Sequence, residues 1–152
     1  MIVGVPKEIY PGEQRVALTH LVIPNLAKAG FEVVVQSGAG VAAGYPDEQY
    51  AEKGAKVLPD RNSVFSTAEI ILQVLCYGAN DINGANDLPL LRNGQILIGF
   101  LRPLGSAEVV QQVARTGATS YCVELIPRTT RAQSMDALSS MANLAGYKSV
   151  LV

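Results

Sequence analysis

The chain has 152 residues, of which 49% are hydrophobic, 16% charged and only 6% aromatic, with a formal net charge of −1. That length suits about one domain with a sizeable core, and the charge pattern, with no basic cluster and no basic-aromatic interleaving, excludes nucleic-acid binding through phosphate neutralisation. No apolar run approaches the roughly 20 residues that span a bilayer, so direct membrane insertion is excluded as well.

The opening segment MIVGVPKE holds an apolar run, Ile2 to Val5, too short for a signal peptide and of strand length. Lys7, Glu8, Glu13 and Arg15 bunch in the segment that leaves it. Ligands of open α/β sheets bind beyond the carboxyl ends of the strands, so Lys7 or Arg15 facing such a crevice is one reading. A surface salt-bridge cluster is the other, and composition alone favours it. His20, just before a helix expected over Pro24 to Ala29, reads as a surface residue.

A strand over Phe31 to Val35 follows, then Gly38-Ala39-Gly40-Val41-Ala42-Ala43, which formally matches a dinucleotide fingerprint. A working fingerprint opens a helix, whereas Gly44, Tyr45 and Pro46 follow here at once, so the loop reads as a plain strand-to-helix turn. Next come a helix over Asp47 to Lys53, a strand over Ile70 to Leu75, and a turn-rich stretch, Tyr77 to Asp87, expected on the surface. A helix over Ala85 to Leu91, a strand over Ile96 to Phe100, a helix over Ser106 to Arg115 and a strand over Ala118 to Val123 complete the alternation. Gly30, Gly54, Gly94 and Gly117 stand where helix-ending glycines belong. Continuous apolar strands alternating with helices predict an α/β fold, a three-layer Rossmann-like or flavodoxin-like parallel sheet flanked by helices. Cys76 and Cys122 lie in or beside apolar runs and read as buried free thiols, and no Cys/His spacing suits a metal.

The last segment carries the functional signal. Thr130-Arg131-Ala132-Gln133 fits a capping box, and the pattern is helical from there to Val152. Met135, Leu138, Ala142, Ala145, Ser149 and Val152 share one arc; Asp136, Ser139, Ser140, Asn143 and Tyr147 share the opposite one. Short hydrogen-bonding side chains are poor helix formers, so concentrating them on one face implies that they meet something polar. Arg128 and Arg131 stand at the helix start, where anions are already favoured. A nucleotide-like ligand and a polar inter-domain seam both account for this face. The helix ends on bare aliphatics, from which the chain is expected to continue as one module of a larger protein.

The stretch Pro127 to Tyr147, PRTTRAQSMDALSSMANLAGY, resembles the signature of the alanine dehydrogenase/pyridine nucleotide transhydrogenase family, on the transhydrogenase alpha-subunit side. GVPKE, EQRVALT and GFEVVVQSGAG are similar to the same family's N-terminal segment. The resemblance implies two Rossmann-like domains flanking a cleft. Residues 1–132 would belong to the first, and 133–152 would begin the helix leading to an NAD-binding domain absent from this chain. It implies that Arg128, Asp136 and Ser139 hold the nicotinamide end of NAD(H), and that Gln133 reaches toward an NADP(H)-bearing domain of a partner subunit. Of these, Arg128, Gln133 and Asp136 are the candidate catalytic residues. Arg15 matches an arginine that binds substrate carboxylate in the alanine dehydrogenase branch. That branch also has a lysine after the IILQVL region and a histidine after the following strand, where this sequence reads Leu75 and Arg102.

The expectation is therefore part of the NAD(H)-binding component of a Re/Si-specific, proton-translocating NAD(P) transhydrogenase, inactive as this isolated domain. It would be a homodimer on the cytoplasmic side of the inner membrane, attached through transmembrane and NADP-binding partner subunits. An alanine dehydrogenase domain and a non-catalytic interaction module are the rival readings.

Overall fold

A computed structural model describes residues 1–152. Six strands, β1 (Ile2–Val5), β2 (Glu32–Gln36), β3 (Lys56–Leu58), β4 (Ile70–Leu75), β5 (Ile96–Phe100) and β6 (Thr119–Cys122), form one sheet in the order β3-β2-β1-β4-β5-β6. Every pairing is parallel. That order is the Rossmann one rather than the flavodoxin-like one, and it places the topological switch point between β1 and β4.

Alternation along β2 shows why the sheet needs cover on both sides. Val33 and Val35 belong to one buried cluster with Val5, Ile23 and Tyr50, while Val34 belongs to another with Val64, Phe65, Ile71 and Val113. Successive strand side chains point to opposite faces, so these clusters are the two cores of a three-layer arrangement. Helices α1 (Ile23–Lys28) and α2 (Asp47–Glu52) supply the first core, α3 (Arg61–Thr67) and α4 (Ala107–Arg115) the second. Gly4 lets α3 approach closely: a Cβ there would lie 2.6 Å from Ala68 Cβ and 2.9 Å from Val64 Cγ1.

Five sequence expectations require correction, the first being the helix over Ala85 to Leu91, which is a 3-10 segment, Gly84–Leu90, with Pro89 inside it. The pair β3 and α3 was not anticipated: three residues are too few for a readable run, and RNSVFST holds few strong helix formers. Its cap is explicit, however, with the Asp60 carboxylate accepting from the Ser63 amide at 2.8 Å. The stretch Tyr77 to Asp87 is not simply surface, since Asn80 is fully buried and Asp87 nearly so. His20 is half-buried, packed edge-on against Tyr45 and Tyr50. Finally, Thr130–Met135 is a 3-10 segment without a side-chain cap bond, and the terminal helix α5 (Ala137–Leu151) starts at Asp136. An aspartate oxygen satisfies the Ser139 amide at 3.0 Å, so Asp136 caps where Thr130 was expected to. Both arcs of α5 are exposed, because the helix leaves the sheet after its first turn and its aliphatics are spread around the axis.

Candidate functional site

At the carboxyl edge of the sheet lies a cavity of about 430 Å³. Its apolar lining includes Leu75 at the end of β4, Phe100 at the end of β5, and Leu138 and Met141 from the first turns of α5. Three charged residues join them: Arg15, Arg102 and Glu124. Loops beyond strand ends can turn side chains inward over the sheet edge, which is why this edge carries sites in such folds.

Arg15 is held by Glu13 through a forked pair, with Nε 2.7 Å and Nη2 2.5 Å from the two carboxylate oxygens. The guanidinium hydrogen bond holds the Glu13 carboxyl below its ordinary range. A further Arg15 nitrogen lies 3.2 Å from the Met141 sulfur, so the segment after β1 touches α5 across the cavity. Both readings of the charged cluster therefore hold for Arg15, which is salt-bridged and also faces the crevice. Lys7 does not line the cavity; its side chain lies near Gly38, and its carbonyl accepts from Arg61 at 2.5 Å.

Glu8 entered the sequence reading only as a member of the charged cluster after β1, and Glu124 escaped it. Glu8 accepts from the amides of Val74 (2.6 Å) and Leu75 (3.1 Å), where β4 is irregular between Leu72 and Leu75. Burial raises its carboxyl above the ordinary value, against the opposing pull of those two amides. Glu124 accepts through one oxygen from the amides of Leu101 (2.9 Å) and Arg102, while its other oxygen is buried without a protein partner. Only the short distance in sequence from Glu8 to Arg15 hinted at the first; nothing in the sequence marked the second.

The residues assigned to the nicotinamide end form a separate cluster at the start of α5. Asp136 accepts from the Ser139 amide and, at 2.7 Å, from the Ser139 hydroxyl. Arg128 Nε stands 3.9 Å from an Asp136 oxygen, with its side chain 74% exposed. The Ser139 hydrogen bonds, then Arg128, hold the Asp136 carboxyl below its usual range. The structure thus brings Arg128, Asp136 and Ser139 together, leaves Gln133 exposed nearby, and places none of the four on the cavity lining.

The glycine loop is closed to phosphate. The Gly38 amide is taken by both Asp47 oxygens at 2.8 and 3.1 Å, and the Ser37 hydroxyl donates to the same carboxylate. Cys76 is buried, and burial pushes its thiol well up, whereas Cys122, expected to be buried as well, is only partly so; both cysteines are free.

The family described as alanine dehydrogenase/PNT, N-terminal domain, matches residues 4–145. The chain belongs to that family. The NAD(P) transhydrogenase subunit alpha of Cereibacter sphaeroides is 42% identical over 151 residues, which is 99% of this chain and 28% of that protein. A solved structure of transhydrogenase from Sinorhizobium meliloti superposes with a TM-score of 0.90 at 40% identity, covering 99% of this chain and 43% of the other. An L-alanine dehydrogenase structure superposes with a TM-score of 0.75 at 30% identity, covering 86% and 34%. The chain therefore spans well under half the length of these alanine dehydrogenase/PNT relatives. No helix of this family member is long and apolar enough to cross a membrane.

Proposed function

We propose that this domain is part of the NAD(H)-binding component of a proton-translocating NAD(P) transhydrogenase, acting in hydride transfer between NAD(H) and NADP(H). The observation that carries the reading is that Leu75 and Arg102 both line the cavity, together with Arg15 and Glu124 and with no lysine or histidine. Reductive amination of a keto acid passes protons between substrate and protein, which calls for a positioned acid and base. Two guanidiniums cannot serve, because arginine stays protonated, and Glu124, the one carboxylate on the lining, is engaged by the Leu101 and Arg102 amides. Direct hydride exchange between two nicotinamides needs neither.

The donor set at the head of α5 fits a nicotinamide carboxamide. Its amide hydrogens require an acceptor, which Asp136 offers, and its carbonyl requires a donor, which the largely exposed Arg128 guanidinium offers. When bound, NAD(H) supplies the hydride chemistry itself. Arg128, Asp136 and Ser139 hold the amide and so set its rotation, and Gln133, exposed beside them, faces the partner domain that carries NADP(H). The pyrophosphate has no place in the closed Gly38–Ala43 loop, so a further domain supplies that contact. Membrane attachment through partner subunits, a homodimeric state and Re/Si specificity belong to the same proposal.

The deciding assay uses the full-length subunit with its NADP-binding partner and follows hydride transfer from NADH to an NADP analogue. Transfer, with no NADH oxidation by pyruvate and ammonium, is the expected outcome. Pyruvate-dependent NADH oxidation without transhydrogenation would overturn the proposal in favour of an alanine dehydrogenase.

A further inference from the structure

Two carboxylates play equivalent parts on neighbouring strands. Glu8 spans the consecutive amides of Val74 and Leu75, and Glu124 spans those of Leu101 and Arg102. Both amide pairs lie where sheet pairing lapses: β4 is irregular from Leu72 to Leu75, and β5 ends at Phe100. Amides in such places need another acceptor if water is kept away. In each pair the second residue, Leu75 or Arg102, lines the cavity.

Arg102 adds an independent sign of constraint. It is the only non-glycine residue with a positive φ, at 50°. A side chain makes that region unfavourable, and it persists where the surroundings impose it, which happens disproportionately at functional sites. Arg102 belongs to no ion pair, and it lines both this cavity and a neighbouring one that includes Asp81 and Gly105. Its stem crosses Gly105 so closely that a Cβ on that glycine would stand 3.1 Å from Arg102 Cγ and Nε.

We infer that Glu8 and Glu124 are positioning residues, each clasping the amide pair at the end of one central strand, and that the Glu124 clasp holds Arg102 in its left-handed backbone on the cavity wall. The geometry stands apart from the proposed transhydrogenase reading; only its kinetic consequence rests on that reading. Clasps of this kind fix strand ends that have no ladder to fix them. Relaxing one shifts a lining residue, and small misplacements in a site that works by orientation are costly to rate.

Three measurements test this. In amide-resolved NMR of the 152-residue chain, the Leu101 and Arg102 amides should resonate downfield. They should move upfield in Glu124→Ala and largely recover in Glu124→Gln, whose carbonyl oxygen accepts the same bonds. In thermal unfolding, Arg102→Gly should raise Tm by about 2–4 °C by relieving the left-handed strain. Glu124→Ala should cost more degrees in the Arg102→Gly background than in the parent, because in the parent losing the clasp lets Arg102 shed its left-handed strain, which partly offsets the lost hydrogen bonds. In the intact enzyme with its partner, Glu8→Ala and Glu124→Ala should lower kcat/KM for hydride transfer by about tenfold or more, and Glu124→Gln should restore most of the loss. Unmoved Leu101 and Arg102 amides in Glu124→Ala, additive melting shifts, or a Glu124→Gln enzyme as impaired as Glu124→Ala would overturn the inference. A wild-type enzyme without hydride transfer would sink the proposed function instead, and the spectra and melts would still decide the clasp.

Discussion

Removing the Asp87 carboxylate should cost this domain a large share of its stability. Asp87 and Arg61 form a two-pronged pair with both nitrogen–oxygen distances at 2.6 Å, and their side chains are only 5% and 14% exposed. Gln73, itself buried, donates to the same carboxylate at 2.9 Å, and a further Arg61 nitrogen donates to the Lys7 carbonyl. Asp87→Ala therefore leaves a guanidinium buried without its counter-charge and a side-chain amide without its acceptor. Breaking a buried pair from one side costs about 3–5 kcal/mol, against a total for a domain of this size of about 5–15 kcal/mol. The double variant Arg61→Leu, Asp87→Leu removes the stranded charge but still orphans Gln73, about 1–3 kcal/mol, and so should be milder than Asp87→Ala alone. Urea unfolding of the three proteins measures this directly. A loss below about 1 kcal/mol for Asp87→Ala, or a double variant worse than the single one, would refute the reasoning. The functional stake is the Lys7 carbonyl, because Arg61 ties the core to the segment that carries Glu8 and Arg15 to the sheet edge.

The remaining expectations concern the two charged clusters. Burial raises the Glu8 pKa above its ordinary 4.5, so the folded state holds that proton more tightly than the unfolded one. The contribution of Glu8 to stability therefore falls as pH rises from about 4.5 through the raised value, then levels. The stability of Glu8→Gln relative to wild type should rise over that window in denaturation series; a flat difference would contradict the burial argument. In the intact subunit with its partner, Asp136→Asn or Arg128→Ala should slow hydride transfer severely while the circular dichroism stays unchanged, and turnover within about twofold of wild type would remove both residues from the site. The 152-residue chain alone should bind NADH weakly, because its glycine loop is closed by Asp47; submicromolar affinity by calorimetry would show a pyrophosphate site that this account lacks.

Much of the fold was legible because the parallel sheet is buried. Runs such as IILQVL and ILIGF need no periodicity to read as doubly covered strands, and β1, β4 and β5 begin and end where the apolar runs do. Turn chemistry located most helix ends. What stayed hidden was short or long-range. β3 pairs through only three residues, and α3 owes its stability to Val64 and Phe65 pressing on the sheet rather than to propensity. The shift of the last helix start from Thr130 to Asp136 followed from competition between two plausible caps, which spacing alone could not decide. The cluster of Arg128, Asp136 and Ser139 was visible because it is local in sequence. The cavity was not, since Arg15, Leu75, Arg102, Glu124 and Met141 come from five separate segments.

The two clusters meet through α5. Its first turns send Leu138 and Met141 down onto the cavity, while its capping residue Asp136 gathers Ser139 and Arg128 at the helix start. A rotation or tilt of that one helix would displace both, so neither can be positioned without the other. Beyond this first turn the helix is exposed on every side, which makes the contact between Arg15 and Met141 one of its few tethers to the sheet. Arg15 is in turn fixed by Glu13, and the segment holding both follows Glu8, which is clasped to β4. The chain of constraint thus runs from a lapse in the central sheet, through Glu8 and Arg15, to the cap that we propose faces a nicotinamide. A reaction that asks the protein only for orientation is served by such a chain, and the absence of any lysine or histidine along it is consistent with that demand.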